Sequence, residues 1–498
     1  MNHSPLAFHC RVTLSPPSPS DKTADADRLA GGLQRQGLED VTVPLDILRR
    51  LPAELRRSGF RLDLVIGLSG EGLRILDVGK TRVFGIALDI GSTNIECFLY
   101  DLSTGEKIGE AGVENPQVNF GYDVLTRVQR SMTGEFAELA RSLSEGIRGL
   151  IARTCEIRGI ASDEVYAVTV AGNTIMSHFF LGLDVGNIPL SPYIPVVNRS
   201  FFADAGGTGL PVNSNAVVYV FPNAGSYVGG DVISGILFSG LYREEEPALF
   251  IDVGTNVEIT LGCRDWIMVG AGAAGPALEG GVADIGKKAE AGTISRVRID
   301  GRSRKITLEV IGGTEPGGIC GSGLIDLISE MYSAGIIDQS GKFNGDRDEV
   351  IERNGVKSYL LYRSGDTGLY LNENEIKNFL LSKAAMFSFL YVFVRSVGLS
   401  FSDIKKVYVA GALGCGIDPE KAITIGMLPD IPRERFLPLG NSSIGGAGEV
   451  LLQRGLLIEV EDIASKITYR EMNEDAELMH VLQGAMFIPH TDPEILKG

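Results

Sequence analysis

FGIALDIGSTNIECFLYDL, residues 84–102, reads as a strand, a tight loop and a second strand. An apolar run leads into Asp89, Gly91-Ser92-Thr93-Asn94 turn the chain, and the alternating stretch Ile95 to Tyr100 leads away. Strand runs bounded by Gly, Ser and Asn predict a hairpin. Its loop suits an anion: Gly91 has no β-carbon, so backbone can come close to a ligand. Successive N–H groups in such a turn form a concave nest for phosphate oxygens. Asp89, at the carboxyl end of the first strand, is placed to hold Mg²⁺ through water, since that ion prefers one or two carboxylates and its own water shell. Taken alone, the pattern is more often a plain surface hairpin, since an Asp-x-Gly after an apolar strand occurs by chance.

The same device recurs at residues 249–261, LFIDVGTNVEITL. Asp252-Val253-Gly254-Thr255-Asn256-Val257-Glu258 aligns with Asp89 to Glu96, one loop residue shorter, and Asp252 lies 163 positions after Asp89. Self-similarity at that distance predicts two copies of a domain-sized unit rather than a short repeat. Two phosphate hairpins facing each other across a cleft would make a nucleotide clamp.

Composition sets outer bounds. The 498 residues are 44% hydrophobic and 22% charged, which is globular and long enough for several domains. The 63 glycines exceed the usual share of about 7%, as expected for many tight loops at a ligand. A net charge of −17 argues against nucleic acid and against anionic membranes. The most apolar run, 384–394, is far below the roughly 20 residues of a membrane span, so it predicts a buried helix. The N-terminus lacks a basic region followed by an apolar core, and the expected location is the cytoplasm. The six cysteines, at 10, 97, 155, 263, 320 and 415, form no Cys-x-x-Cys and no local metal or cluster motif.

Taken in order, residues 1–40 read as a linker and 41–82 as a small α+β module, with one or two short helices at 45–58 broken by Pro52. The two large halves are expected at 83–248 and 249–498. In the first, a strand at 164–170 runs into Asn173 or Thr174 as helix cap. His178 reads as a packed residue. Gly229-Gly230-Asp231 opens a helix, where Asp231 is either a cap or a metal or phosphate contact. In the second, the Gly-rich 271–281 would line the cleft mouth. Gly321-Ser322-Gly323 present a helix N-terminus with free N–H donors. The helix from Glu373 to Val397 carries a capping box, Asn372 with Glu375, and a staple, Leu371 with Ile376. Lys383 is the only charge in its middle and reads either as a snorkelling lysine or as a nucleotide contact. The strand Lys406 to Ala410 ends in Gly411-Ala412-Leu413-Gly414, small residues that let a flat adenosine ring lie on backbone. A helix is expected at 449–454 and a last strand at 463–469.

The ordered set of two phosphate hairpins and a strand-AG-x-x-G loop resembles the actin-like ATPase and sugar-kinase superfamily. Within it, NPQVNFGYDVLTR (115–127), AGNTIMSHFFLG (171–182), GGDVISG (229–235), AAGPALEGG (273–281), GICGSGLIDL (318–327), AGALGCGIDPEKAITIGMLP (411–429) and GNSSIGGAGEVLL (440–452) resemble the reductive activators of corrinoid enzymes. The resemblance covers roughly residues 40 to 490; residues 41–82 resemble the family's small middle domain and 11–35 its linker.

The resemblance implies duplicated actin-like (ribonuclease H-like) halves around a nucleotide. It implies an ATP-dependent return of cob(II)alamin to cob(I)alamin on a partner corrinoid protein of a methyltransferase system. Asp89 and Asp252 would organise Mg²⁺ and the attacking water, with Asp231 as a third metal contact. The amides of Gly91–Thr93, with Asn94, and of Gly254–Asn256 would hold the β and γ phosphates, so that catalysis is chiefly positioning and charge stabilisation. Gly321, Ser322, Lys383, Gly411, Ala412 and Gly414 complete the nucleotide contacts, and a homodimer is implied. Many members carry an N-terminal plant-type 2Fe–2S domain, which needs Cys-x4-Cys-x2-Cys and a fourth Cys; others carry a C-terminal ferredoxin-like domain. Neither is written here, so the expectation is no iron–sulfur cluster in this chain and a separate ferredoxin-like electron donor. Val257 stands where the family usually has Gly and would crowd the phosphate loop. Leu413 and Cys415 stand where it usually has Phe and Asn. The competing readings are a small-molecule kinase of the same superfamily and a nucleotide-gated corrinoid-protein-binding module that passes no electrons.

Overall fold

The computed structural model describes residues 3–254, 257–272, 281–345, 348–353, 355–365, 367–411, 416–472 and 476–497. The chain divides into two units, Met1–Phe238 with Ser442–Ile467 and Ser239–Asn441 with Thr468–Gly498.

A six-stranded sheet organises the first unit, in the order Glu106–Glu114, Asn94–Asp101, Phe84–Ile90, Val165–Gly172, Val217–Val220, Phe201–Asp204. The first three run antiparallel, and Phe84–Ile90, Val165–Gly172 and Val217–Val220 run parallel. Central parallel strands are covered on both faces, so they read as unbroken apolar runs. Ile86, Leu88 and Ile90 pack with Leu143, Ile147 and Ile151 of the helix Phe136–Ile157. Against Gly85 lies Leu451 of the helix Ser442–Leu452.

Ahead of this sheet stands a small antiparallel one, Ala7–Thr13, Arg61–Ser69, Gly72–Val78. Residues 1–40 therefore do not form a bare linker. They hold a strand and a helix, Asp25–Gln34, because Val12, Leu14, Leu29 and Leu33 find a shared core with Leu51, Leu55 and Leu64. Four apolar residues so widely spaced show no local period, which is why the segment reads as linker. Nor does Pro52 break the next element: one helix, Leu45–Arg57, runs through it, held by Ile47, Leu51 and Leu55 buried at four-residue spacing.

The second unit repeats the plan. Its sheet runs Phe436–Gly440, Lys406–Ala410, Ala248–Val253, Val257–Gly262, Ile267–Gly272, Ile467–Tyr469. Numbered in chain order within each sheet, both share the run third, second, first, fourth: an antiparallel meander whose first strand pairs in parallel with a later one. The helix Glu373–Arg395 is long and apolar enough to pass for a membrane span, yet 72% of its most apolar window is buried, and Phe379, Leu380, Phe387, Leu390 and Phe393 lie in the unit's core. Its start is the capping box read from sequence: Asn372 Oδ1 accepts from the N–H of Asn374 (2.9 Å) and Glu375 (3.0 Å), and Glu375 Oε2 accepts from Asn372 N–H (2.8 Å). Leu371 and Ile376 are both buried.

Three boundaries differ from expectation. Residues 442–467 group with the first unit, not with 249–498. The helix read at 449–454 already begins at Ser442 and runs to Leu452. The last strand is only Ile467–Tyr469, since Ile463 lies in a helix, Leu456–Lys466. Of the Gly-rich 271–281, residues 271 and 272 end a strand, and 273–280 lie outside the described residues.

Candidate nucleotide site

In the first unit the hairpin pairs Asp89 with Glu96 and Ile90 with Ile95. Asp89 is half-buried at the strand end, and Ser443 Oγ donates to its Oδ1 at 2.8 Å. The loop is held from behind by two asparagines. Asn115, fully buried, donates from Nδ2 to Gly91 O (2.9 Å) and from its backbone N–H to Thr93 O (2.7 Å). Asn173 donates from Nδ2 to Ser92 Oγ (3.0 Å), while its Oδ1 caps the helix Thr174–Leu181 by accepting from Met176 N–H (3.0 Å). A β-carbon on Gly91 would sit 2.7 Å from Asn94 O, so this turn closes only on glycine. Thr93 is buried and Asn94 exposed.

Asp231 is drawn to the same place. Gly229 packs so tightly that a β-carbon there would lie 2.3 Å from Asn173 Cα and 2.7 Å from Asp231 Oδ1. Asp231 opens the helix Gly230–Ser239, its Oδ1 accepting from Val232 N–H at 2.9 Å, and burial pushes its carboxyl up to about 6. His178 is a packed residue, as read. Its Nε2 accepts from Val196 N–H (3.0 Å), so the proton sits on Nδ1 and is donated to Thr174 O (2.6 Å).

In the second unit Asp252 pairs with Glu258 and Val253 with Val257. Gly411 follows the neighbouring parallel strand at φ +79°, and a β-carbon on it would fall 2.4 Å from Asp252 Oδ1 and 2.5 Å from Val253 O. Gly411 thus lets the next strand end close against the Asp252 hairpin. Val257 is a core residue: it is 2% exposed in the apolar cluster, in the register position that Ile95 fills in the first unit. Gly254 is exposed, and Thr255, Asn256, Ala412, Leu413, Gly414 and Cys415 lie outside the described residues. Gly321 and Ser322 begin the helix Gly321–Ser333, where Ser322 Oγ donates to Ser295 O at 3.3 Å. Gly416 sits against that hydroxyl, with its β-carbon position 3.0 Å away. Gly416 therefore lies at the Ser322 end of the helix.

Lys383 is not a nucleotide contact. Its side chain is fully buried and its Nζ donates to Phe487 O (2.6 Å) and Pro489 O (2.7 Å), with burial pushing its pKa down to about 7. A lysine mid-helix looks like a surface residue until a distant segment folds over it.

The residues present fit a divalent cation and a polyphosphate. Each hairpin sets a glutamate directly opposite the aspartate, and like charges facing across strands repel unless a cation or donors relieve them. Asp89 and Asp231 are the carboxylates that the first unit offers to Mg²⁺, and the hairpin of the second unit, taken by itself, offers Asp252; the ion when bound would neutralise phosphate oxygens. Ser443, Asn115 and the side-chain reach of Asn173 escaped the reading from sequence. All three lie inside motifs quoted above, but nothing local says what they touch.

Duplicated sheets of this order, each opening on an aspartate–glycine hairpin, define an actin-like ATPase fold. Models of the RACo linker region (residues 1–82), the RACo middle region (84–244) and the C-terminal domain of RACo, the ASKHA domain (246–497), match the chain, which belongs to this family. The middle-region match falls on the first large half, and the linker-region match takes in the whole small module. The chain is 30% identical over 404 residues to "Corrinoid activation enzyme RamQ" of Eubacterium limosum, spanning 77% of this chain and 68% of that one. To a "[Co(II) methylated amine-specific corrinoid protein] reductase" of Methanosarcina barkeri it is 25% identical over 416 residues, 78% and 73% of the two chains. A solved "Reductive activator for corrinoid,iron-sulfur protein" superposes with TM-score 0.92 at 36% identity, covering 99% of this chain and 81% of that one.

Proposed function

We propose that this chain is an ATP-dependent activator that returns a partner corrinoid protein from the cobalt(II) to the cobalt(I) form. One observation carries the reading: likeness to a solved reductive activator over 99% of the chain at TM-score 0.92. The two hairpins, with Asp89 and Asp252 at their mouths, support Mg·ATP as the nucleotide. One electron passes to cobalt, and a separate low-potential, ferredoxin-like donor is oxidised by one electron. ATP takes up water to give ADP and phosphate. Each 59 mV of deficit between donor and cobalt is about a tenfold equilibrium penalty. Nucleotide can lower it only through a difference in affinity between two states of the complex. Among the described residues five cysteines are buried and outside any disulfide, which fits a reducing compartment such as the cytoplasm. A homodimer belongs to the same reading.

The test joins binding to turnover. Mg·ATP at about 100 times its dissociation constant should stabilise the fold by about 2.7 kcal/mol, read as a thermal shift. With a methyltransferase corrinoid protein and a low-potential reductant, ATP should speed the appearance of the cob(I)alamin absorbance. No shift with any adenine nucleotide removes the nucleotide. A shift and hydrolysis without cobalt reduction leave a nucleotide-gated binding module.

A further inference from the structure

We infer that Ser443 is a positioning residue that fixes the rotation of the Asp89 carboxylate and so sets the affinity of the first unit for Mg²⁺. The inference rests on the reading of Asp89 as a metal-organising group and adds how it is held. Ser443 is the second residue after the chain re-enters the first unit, 354 positions from Asp89 in sequence, and its Oγ donates to Asp89 Oδ1 at 2.8 Å. It is 5% exposed.

Its own position is set from below. The backbone carbonyl of Ser443 accepts from Ser234 Oγ at 2.6 Å, and Ser234 is fully buried in the helix that Asp231 opens. Three residues on, a β-carbon on Gly446 would fall 2.1 Å from Ser234 O, so the helices Gly230–Ser239 and Ser442–Leu452 touch backbone to backbone. Thr169 Oγ1, on the strand beside Asp89, donates to Ala447 O at 2.8 Å and ties the second of these helices to the sheet. The hydroxyl thus stands on a rigid support, and one helix carries Asp231 while the other carries the hydroxyl that orients Asp89. Hydrogen bonds from behind a ligating carboxylate orient it, and losing one typically costs 10–100-fold in metal affinity.

The experiment titrates Mg²⁺ against ADP and ATP binding by calorimetry, in the full-length parent, Ser443→Ala and Ser443→Thr, with melting curves for each and a parallel titration in EDTA. The alanine variant should need about 10-fold more Mg²⁺ for half-saturation, while metal-free nucleotide affinity stays at the parent value. Threonine, which keeps the hydroxyl, should return the requirement to within about threefold of the parent. Should the alanine variant not fold, Ser443→Cys keeps the volume with a weak donor and takes its place. An unchanged Mg²⁺ requirement overturns the inference. So does an equal loss of metal-free binding, which would make the hydroxyl a support of the loop alone. A parent whose nucleotide binding ignores Mg²⁺ overturns the metal reading of Asp89 and this inference with it.

Discussion

Gly411, the residue after a strand that pairs in parallel with that of Asp252, lies so close to Asp252 that a β-carbon on it would meet the carboxylate at 2.4 Å. The same carbon would meet Val253 O at 2.5 Å, and the glycine holds φ +79°. Gly411→Ala therefore combines a left-handed backbone with a clash against backbone, at about 1–3 kcal/mol. Urea unfolding should show that loss, and nucleotide affinity should fall with it because the hairpin must shift. A fully stable variant with parent affinity would contradict the packing.

Asp252→Asn tests the charge alone. It keeps volume and shape, so melting temperature and nucleotide binding should stay near the parent. ATP turnover should fall by about 100-fold or more, the scale of losing one preorganised electrostatic group. Steady-state phosphate release decides it, and parent-like turnover would make Asp252 structural.

Lys383 predicts a pH dependence with a definite sign. Burial lowers its pKa from 10.5 to about 7, so above pH 7 the unfolded chain binds the extra proton. Stability then rises with pH across that window, and the contribution present above 10.5 is lost as pH falls through 7. The neutral amine can still donate to Phe487 O and Pro489 O. Compared with Lys383→Met, the parent's urea midpoint should gain steadily from pH 7 to pH 10. Parallel midpoints over that range would show that Lys383 is not buried as an amine.

Asn372→Ala removes the side chain that accepts from two N–H groups at the head of the core helix. The cost expected for such a cap is about 1 kcal/mol. Glu375 should not compensate, because its Oε1 already accepts from Asp284 N–H at 2.7 Å. Chemical denaturation against the parent reads the difference, while nucleotide affinity should be untouched.

What could be read from the sequence alone was whatever neighbours in the chain decide. Asp89 to Glu96 and Asp252 to Glu258 announce hairpins because strand alternation and turn residues act over a few positions. The cap at Asn372 with Glu375 was legible because it closes its own hydrogen bonds locally, and the strand Lys406–Ala410 because a short apolar run ends at a glycine, although its pairing partners lie far off in the chain. From two such hairpins a duplicated fold followed, and the quoted motifs pointed to the corrinoid activators.

The tertiary structure decided everything that depends on which distant segment covers which. Val257 looked like an intruder in a phosphate loop, but strand register turns its side chain into the core. Lys383 looked exposed until residues 487–489 closed over it, and the segment 1–40 looked loose until its scattered leucines met a shared core. Ser443 and Asp89 show the limit most plainly. Their bond depends on residues 442–467 leaving the second unit for the first, a choice made by the packing of Gly446 on Ser234. Burial and close approach are properties of the folded whole, and no local period in the chain records them.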